Sequence, residues 1–288
     1  MELKGVYTAL VTPFSSGKVD FKKLAQLVDM QIKAGVDGIV PVGTTGESPT
    51  LSFEEHIMVI EKTIEAANGR CRIIAGTGAN STDEAIYLTN EAKAAGADAT
   101  LQVTPYYNKP TPEGLYRHFS AIADKCGLPV VLYNVPGRCG IAIPIETIAR
   151  LSKNKNIIAV KEAGGSVERV SAILDVCDIT VLSGDDSLTI PMMSVGAKGI
   201  ISVVSNLIPA ELKKMVDAFA AGDTVKARKL HMKYFPLFRD MFVEANPIPI
   251  KTAMAIKGII KEEFRLPMCP IGARNREVVI AAMKKSGV

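Results

Sequence analysis

From the N-terminus to about residue 203, short runs of aliphatic and β-branched residues alternate with longer amphipathic stretches, and nothing else in the chain restricts its fold as much. Eight strand candidates follow: Val6 to Val11, Gly38 to Val42, Arg72 to Ala75, Ala99 to Val103, Val130 to Tyr133, Ile157 to Lys161, Thr180 to Ser183 and Gly199 to Val203. Helix-like segments such as Phe21 to Ala34 and Glu84 to Ala95 lie between them, and Gly35 and Gly96 stand where helices stop. Alternation of this kind builds βα units around a parallel sheet. Eight units predict an α/β protein with a closed (β/α)8 TIM barrel, because an open dinucleotide-binding sheet has fewer strands and a phosphate fingerprint. Gly76-Thr77-Gly78 supplies only GxG, with no third glycine and no P-loop lysine.

Beyond about residue 207 the strand pattern ends. Pro209 to Ala221, Thr224 to Glu244 and Pro249 to Ile260 read as helices, which predicts a barrel over residues 1–222 and a C-terminal helical extension over 223–288 packed on it. With 288 residues, 48% of them hydrophobic, the chain has material for such a core. Its net charge of +4 is spread without long like-charged blocks, so no nucleic-acid surface is expected. No apolar run is long enough to span a bilayer, and the segment up to Pro13 lacks a basic-then-apolar leader, so we expect no membrane association and a cytoplasmic protein. Five widely spaced cysteines without a CxxC pair read as reduced thiols, and three distant histidines lack familiar zinc spacing, so neither a metal nor a cofactor is predicted.

Barrel chemistry sits at the C-terminal ends of the strands, and the conspicuous motifs fall there. Lys161 closes the run Ile157-Ile158-Ala159-Val160. An amine among apolar neighbours loses hydration, which favours its neutral, nucleophilic form and points to Schiff-base chemistry. Taken alone, a lysine leaving a strand more often reaches out to water. Tyr133, on the preceding strand, offers a phenol to move protons; a buried tyrosine with a satisfied hydroxyl is its commoner fate. The loop Gly43-Thr44-Thr45-Gly46-Glu47-Ser48 offers backbone N–H groups and hydroxyls suited to a small carboxylate, although a plain glycine-rich turn explains it equally. Arg138 follows a proline-containing turn, where its fork suits a second carboxylate, while most loop arginines simply face solvent. Tyr106 and Tyr107 project from the same end and read as a contact with another subunit or a cover for the rim.

The motifs Gly43-Thr44-Thr45-Gly46-Glu47-Ser48, Thr104-Pro105-Tyr106-Tyr107, Tyr133-Asn134-Val135-Pro136-Gly137-Arg138, Val160-Lys161-Glu162 and Ser183-Gly184-Asp185-Asp186 together resemble the pyruvate-dependent class I aldolase family of dihydrodipicolinate synthase and N-acetylneuraminate lyase. The resemblance covers nearly the whole chain. It implies a lyase that condenses pyruvate with L-aspartate 4-semialdehyde in the diaminopimelate route to lysine. By resemblance, Lys161 forms the imine, and Tyr133 acts as acid and base, linked through Thr44 to Tyr107 of a partner subunit. Thr45 binds the pyruvate carboxylate, Arg138 holds the semialdehyde carboxylate, and Gly184 and Ile201 give backbone contacts near the imine. A homotetramer built as a dimer of dimers is implied too. So is L-lysine as feedback inhibitor at Ser48, His56, Asn80, Glu84 and Tyr106, although Phe53 stands where many inhibitor-sensitive members carry histidine. Against that reading, Ser81-Thr82-Asp83-Glu84 is also a helix capping box, and His56 an ordinary helix-surface residue. Two alternatives remain: an aldolase of the N-acetylneuraminate or 2-keto-3-deoxygluconate type, and a non-catalytic pyruvate or lysine sensor.

Overall fold

The computed structural model describes all 288 residues. Eight strands form the barrel: β1 (Gly5–Ala9), β4 (Gly38–Val40), β5 (Arg72–Gly76), β6 (Ala99–Val103), β7 (Val130–Asn134), β8 (Ile157–Glu162), β9 (Thr180–Ser183) and β10 (Gly199–Ser202). The hairpin β2 (Phe14–Ser15) and β3 (Lys18–Val19) interrupts the count after β1. The barrel strands pair in the order β1-β10-β9-β8-β7-β6-β5-β4, all parallel, and β1 closes the circle by also pairing with β4. The expected (β/α)8 barrel is therefore present.

The outer layer comprises α1 (Phe21–Lys33), α2 (Phe53–Ala67), α3 (Thr82–Ala95), α4 (Pro112–Cys126), the single turn α5 (Pro136–Cys139), α6 (Ile145–Leu151), α7 (Val167–Val176), α8 (Thr189–Ser194) and α9 (Pro209–Ala220). The extension adds α10 (Thr224–Asp240), α11 (Ile248–Ile256) and α12 (Ala273–Ser286). Helices begin where the sequence offers caps: Asp20, Ser52, Ser81 and Thr111 each accept a hydrogen bond from an N–H in the first turn. The full reciprocal box forms at Ser52 and Glu55. At Ser81 only half of the expected box is made, a long 3.5 Å bond from the Glu84 N–H, so the Glu84 side chain is left free of that duty.

Strand alternation sorts side chains into two cores. Tyr7, Ala9, Val40, Val131, Ala159 and Leu182 fill the barrel interior. Residues one step out of phase, such as Val130, Leu132, Val160 and Val181, pack outward under the helices. Gly38 is required on the inner face, because a Cβ there would lie 2.6 Å from the Tyr7 ring. On the opposite flank, barrel residues Val6 and Ile39 share one apolar cluster with Leu237, Ile250, Met254 and Val279 of the extension. α12 went unnoticed in the sequence, and α10 and α11 end about four residues earlier than expected, at Asp240 and Ile256.

Candidate active site

Register decides what the adjacent dipeptides Tyr133-Asn134 and Lys161-Glu162 do. Tyr133 pairs with Lys161 and Asn134 with Glu162 across β7 and β8. Because Ala159 lies inside the barrel, Lys161, two residues on, shares its inward face, and Tyr133 shares the face of Val131. Asn134 and Glu162 therefore point the other way. Glu162, wholly buried, accepts from Asn134 Nδ2 at 2.8 Å, from the Gly164 N–H at 2.8 Å and from Arg169 Nε at 3.0 Å. Asn134 Oδ1 accepts the Ile143 N–H at 2.9 Å. This outward network pins the register of the inward pair, and no sequence motif had marked Arg169 for it.

Lys161 is 5% exposed, and its amine lies 4.3 Å from the centroid of the Tyr133 ring. No carboxylate forms an ion pair with it. Asp185 is near enough for the Lys161 charge to oppose the burial that raises the Asp185 carboxyl pKa. Gly184 packs against the lysine stem: a Cβ there would sit 3.1 Å from Lys161 Cε and 2.6 Å from the Ala163 Cβ. Ile201, fully buried on β10, belongs to the same interior cluster as Tyr133.

A cavity of about 660 Å³ opens at the C-terminal end of the barrel, with Thr44, Tyr133 and Arg138 in its wall. Lys161 is not part of that wall, but Tyr133, whose ring its amine approaches, is. Thr45 is buried beside the cavity, and its Oγ1 accepts from Asn246 Nδ2 at 3.0 Å. Arg138, on α5, donates to the Asn246 backbone carbonyl at 3.2 Å. Asn246 carried no motif, and the contact pairs it with residues more than a hundred positions away.

The loop bearing Thr44 and Thr45 is held from behind. Glu47 takes a left-handed conformation, φ +54°, and its buried carboxylate pairs with fully buried Lys251 of α11. Lys251 also donates to the Thr12 carbonyl at 3.1 Å, and the Arg265 N–H reaches Glu47 Oε2 at 3.3 Å. Asp186, fully buried after β9, accepts from Ser202 Oγ and from the N–H groups of Val203 and Val204, while burial pushes its carboxyl up to about 6.

Ser48, His56, Glu84 and Tyr106 line the same cavity, together with Phe53. His56 is not the surface residue considered above: it is buried, donates through Nε2 to the Gly76 carbonyl at 2.7 Å, and has its pKa lowered by desolvation. Asn80 stays outside the wall and braces it, donating to the Tyr106 carbonyl at 3.2 Å. Burial, with Glu84 nearby, raises the Tyr106 pKa. Tyr107 is not brought to Thr44 and Tyr133 within this chain; it is 91% exposed with φ +71°, a conformation unfavourable for a bulky residue. No group of three or more His, Cys, Asp or Glu residues is placed to hold a metal ion. No helix is long and apolar enough to cross a membrane.

The chain as a whole is similar to proteins of known kind. A 4-hydroxy-tetrahydrodipicolinate synthase of Geobacter metallireducens is 54% identical, with 98% of each chain covered. The structure of the 4-hydroxy-tetrahydrodipicolinate synthase of Methylacidiphilum fumariolicum SolV superposes with a TM-score of 0.98 at 49% identity, covering 99% of this chain and 96% of that one. A lysine-bound enzyme of the same kind from Cyanidioschyzon merolae gives a TM-score of 0.95 at 41% identity, covering 99% of this chain and 98% of that one. The sequence pattern of the dihydrodipicolinate synthetase family matches residues 2–286, and the chain belongs to that family.

Proposed function

We propose that the protein condenses pyruvate with L-aspartate 4-semialdehyde, the 4-hydroxy-tetrahydrodipicolinate synthase reaction, through an imine on Lys161. One observation carries this reading: a buried amine without an ion-pair partner, in register with a phenol at the mouth of a barrel. The Lys161 amine attacks the pyruvate keto carbon, and the carbinolamine loses water to give a protonated imine. Tyr133 relays the protons of these steps through Thr44, with Tyr107 of a partner subunit completing the relay. The imine nitrogen is already positive, so it accepts the electron pair released when a methyl proton leaves. The enamine carbon then attacks the aldehyde. Thr45 orients pyruvate by its carboxylate, Arg138 holds the carboxylate of the semialdehyde, and the Gly184 and Ile201 backbone borders the imine.

Borohydride reduction in the presence of pyruvate, followed by peptide mass mapping, tests the chemistry. The reduced adduct is expected on Lys161, and its absence there ends the Schiff-base reading, the non-catalytic sensor then standing in its place. Rates with aspartate semialdehyde against N-acetylmannosamine and glyceraldehyde test the second substrate. Preference for a neutral aldehyde moves the assignment to a sugar-acid aldolase.

Feedback by L-lysine is a second reading, favoured by Ser48, His56, Glu84 and Tyr106 meeting in one cavity with Asn80 behind them. A lysine ammonium suits Glu84, whose side chain makes no reciprocal cap. Initial rates unchanged by millimolar lysine sink this reading. The assembly we propose is a cytoplasmic homotetramer, a dimer of dimers, which brings a partner's Tyr107 to each site; molar mass in solution, measured by light scattering, checks it.

A further inference from the structure

Asn246 lies between α10 and α11, is 5% exposed, and touches both groups to which acid binding has been assigned. Its side-chain Nδ2 donates to Thr45 Oγ1, and its backbone carbonyl accepts from Arg138. Its own Oδ1 is buried with no partner. An amide placed there for packing alone would not leave an acceptor stranded, since an apolar side chain of similar size avoids that penalty.

The direction of one hydrogen bond matters here. A hydroxyl has a single proton, and Thr45 Oγ1 accepts from Asn246 while making no other hydrogen bond within the chain. Its proton is therefore unspent, and a carboxylate can only accept. We propose that Asn246 is a positioning residue: its amide keeps the Thr45 hydroxyl a donor toward the pyruvate carboxylate, while its backbone carbonyl steadies the Arg138 fork. The proposal rests on the reading of Thr45 and Arg138 as acid binders. It separates side chain from backbone, so substituting the side chain should disturb pyruvate and spare the semialdehyde.

Asn246→Asp in the full-length enzyme provides the test. A carboxylate draws the Thr45 proton to itself and adds negative charge beside an acid, so KM for pyruvate should rise about 10- to 100-fold, in line with a hydrogen bond to a charged group. KM for the semialdehyde should stay within about threefold, because the Arg138 contact is to backbone, and the thermal midpoint should hold in Asn246→Ser, which buries no new charge. In a Thr45→Val background the uncharged change Asn246→Ser should add almost nothing, because its effect runs through the Thr45 hydroxyl, whereas Asn246→Asp should keep the part that comes from its charge. Asn246→Ser withdraws the donor, since the serine hydroxyl ends one bond short of the amide nitrogen, and adds no charge; its smaller rise in pyruvate KM supplies the readout if the Asp variant does not fold.

If Thr45→Val raises pyruvate KM while Asn246→Asp and Asn246→Ser do not, the acid-binding reading survives and the Asn246 proposal fails; Thr45 would then be donating to Asn246. If Thr45→Val leaves pyruvate KM unchanged, the reading of Thr45 falls and takes the proposal with it. In Asn246→Ser, a marked fall in thermal midpoint with equal rises in both KM values marks Asn246 as merely structural and also overturns it.

Discussion

Lys161 and Lys251 are both buried, at the inner end of β8 and on α11, yet they meet opposite surroundings. Lys251, with 0% of its side chain exposed, pairs with Glu47, donates to the Thr12 carbonyl and lies 4.4 Å from the centroid of the Phe14 ring. Burial still pulls its pKa down, with Glu47 acting against that. Lys161 has an aromatic ring beside it and no carboxylate in ion-pair contact. The difference teaches what a nucleophile requires. An amine held by a carboxylate and a carbonyl is tied in place, whereas one with no ion-pair partner, beside a phenol at the barrel mouth, is free to reach a carbonyl carbon.

The largest effect should come from Lys161→Met, which removes the nucleophile. Turnover should fall more than about a thousandfold with the urea midpoint retained or raised, because no partner is left stranded. Residual activity near wild type would break the comparison outright. Lys251→Met should do the reverse. Leaving Glu47 buried and unpaired should cost about 3–5 kcal/mol of stability, and Glu47→Gln in the same chain should recover most of it. Equal stabilities of the single and double variants, read by urea unfolding, would mean that the pair does not anchor the loop.

His118 sharpens the comparison as another buried base that, like Lys161, has no carboxylate partner, its pKa lowered by desolvation to about 4. Between the unfolded value near 6.5 and the folded value, the unfolded chain binds a proton that the folded chain refuses. Stability should therefore drop as pH falls through that window, by about 3 kcal/mol in total, and level off below it. Asp186, raised to about 6, has the opposite sign: over pH 6 to 4 the folded chain takes its proton first, which adds stability on acidification. Urea midpoints of His118→Gln between pH 7 and 4.5 should show a flatter or inverted slope, and curves parallel to wild type would refute the assignment. Gly184→Ala is the mildest change. The added methyl presses on Ala163 and on the Lys161 stem, so a packing cost of about 1–3 kcal/mol should accompany displacement of the amine and a drop in turnover. Unaltered imine formation with pyruvate would show that the lysine tolerates the crowding.

The strands were legible because the β-branched runs mark them locally, and so was the place of Lys161 at a strand end; which face it takes was not, because Ile157 to Val160 is apolar at every position and only the closed barrel puts the lysine on the side of Ala159. α12 was missed although Val279, Ala282, Met283 and Ser286, its buried residues, keep helical spacing; the charged residues around them mask so narrow a stripe. Asn246, Lys251 and Arg169 were invisible for another reason. Their partners Thr45, Glu47 and Glu162 are supplied by other elements: Asn246 and Lys251 reach across about two hundred residues, and Arg169, only seven residues from Glu162, meets it because α7 folds back on the end of β8. His56 was misjudged as a possible surface group because its burial depends on the Gly76 carbonyl of β5.

By itself the sequence determined the barrel and the end of it that carries the chemistry, since strand periodicity and the chain direction of a βα unit are local properties. Only the tertiary structure decided which lysine is left without a counter-charge and which asparagine orients the threonine, because charge pairing and hydrogen-bond direction depend on groups that meet only after the chain has closed on itself.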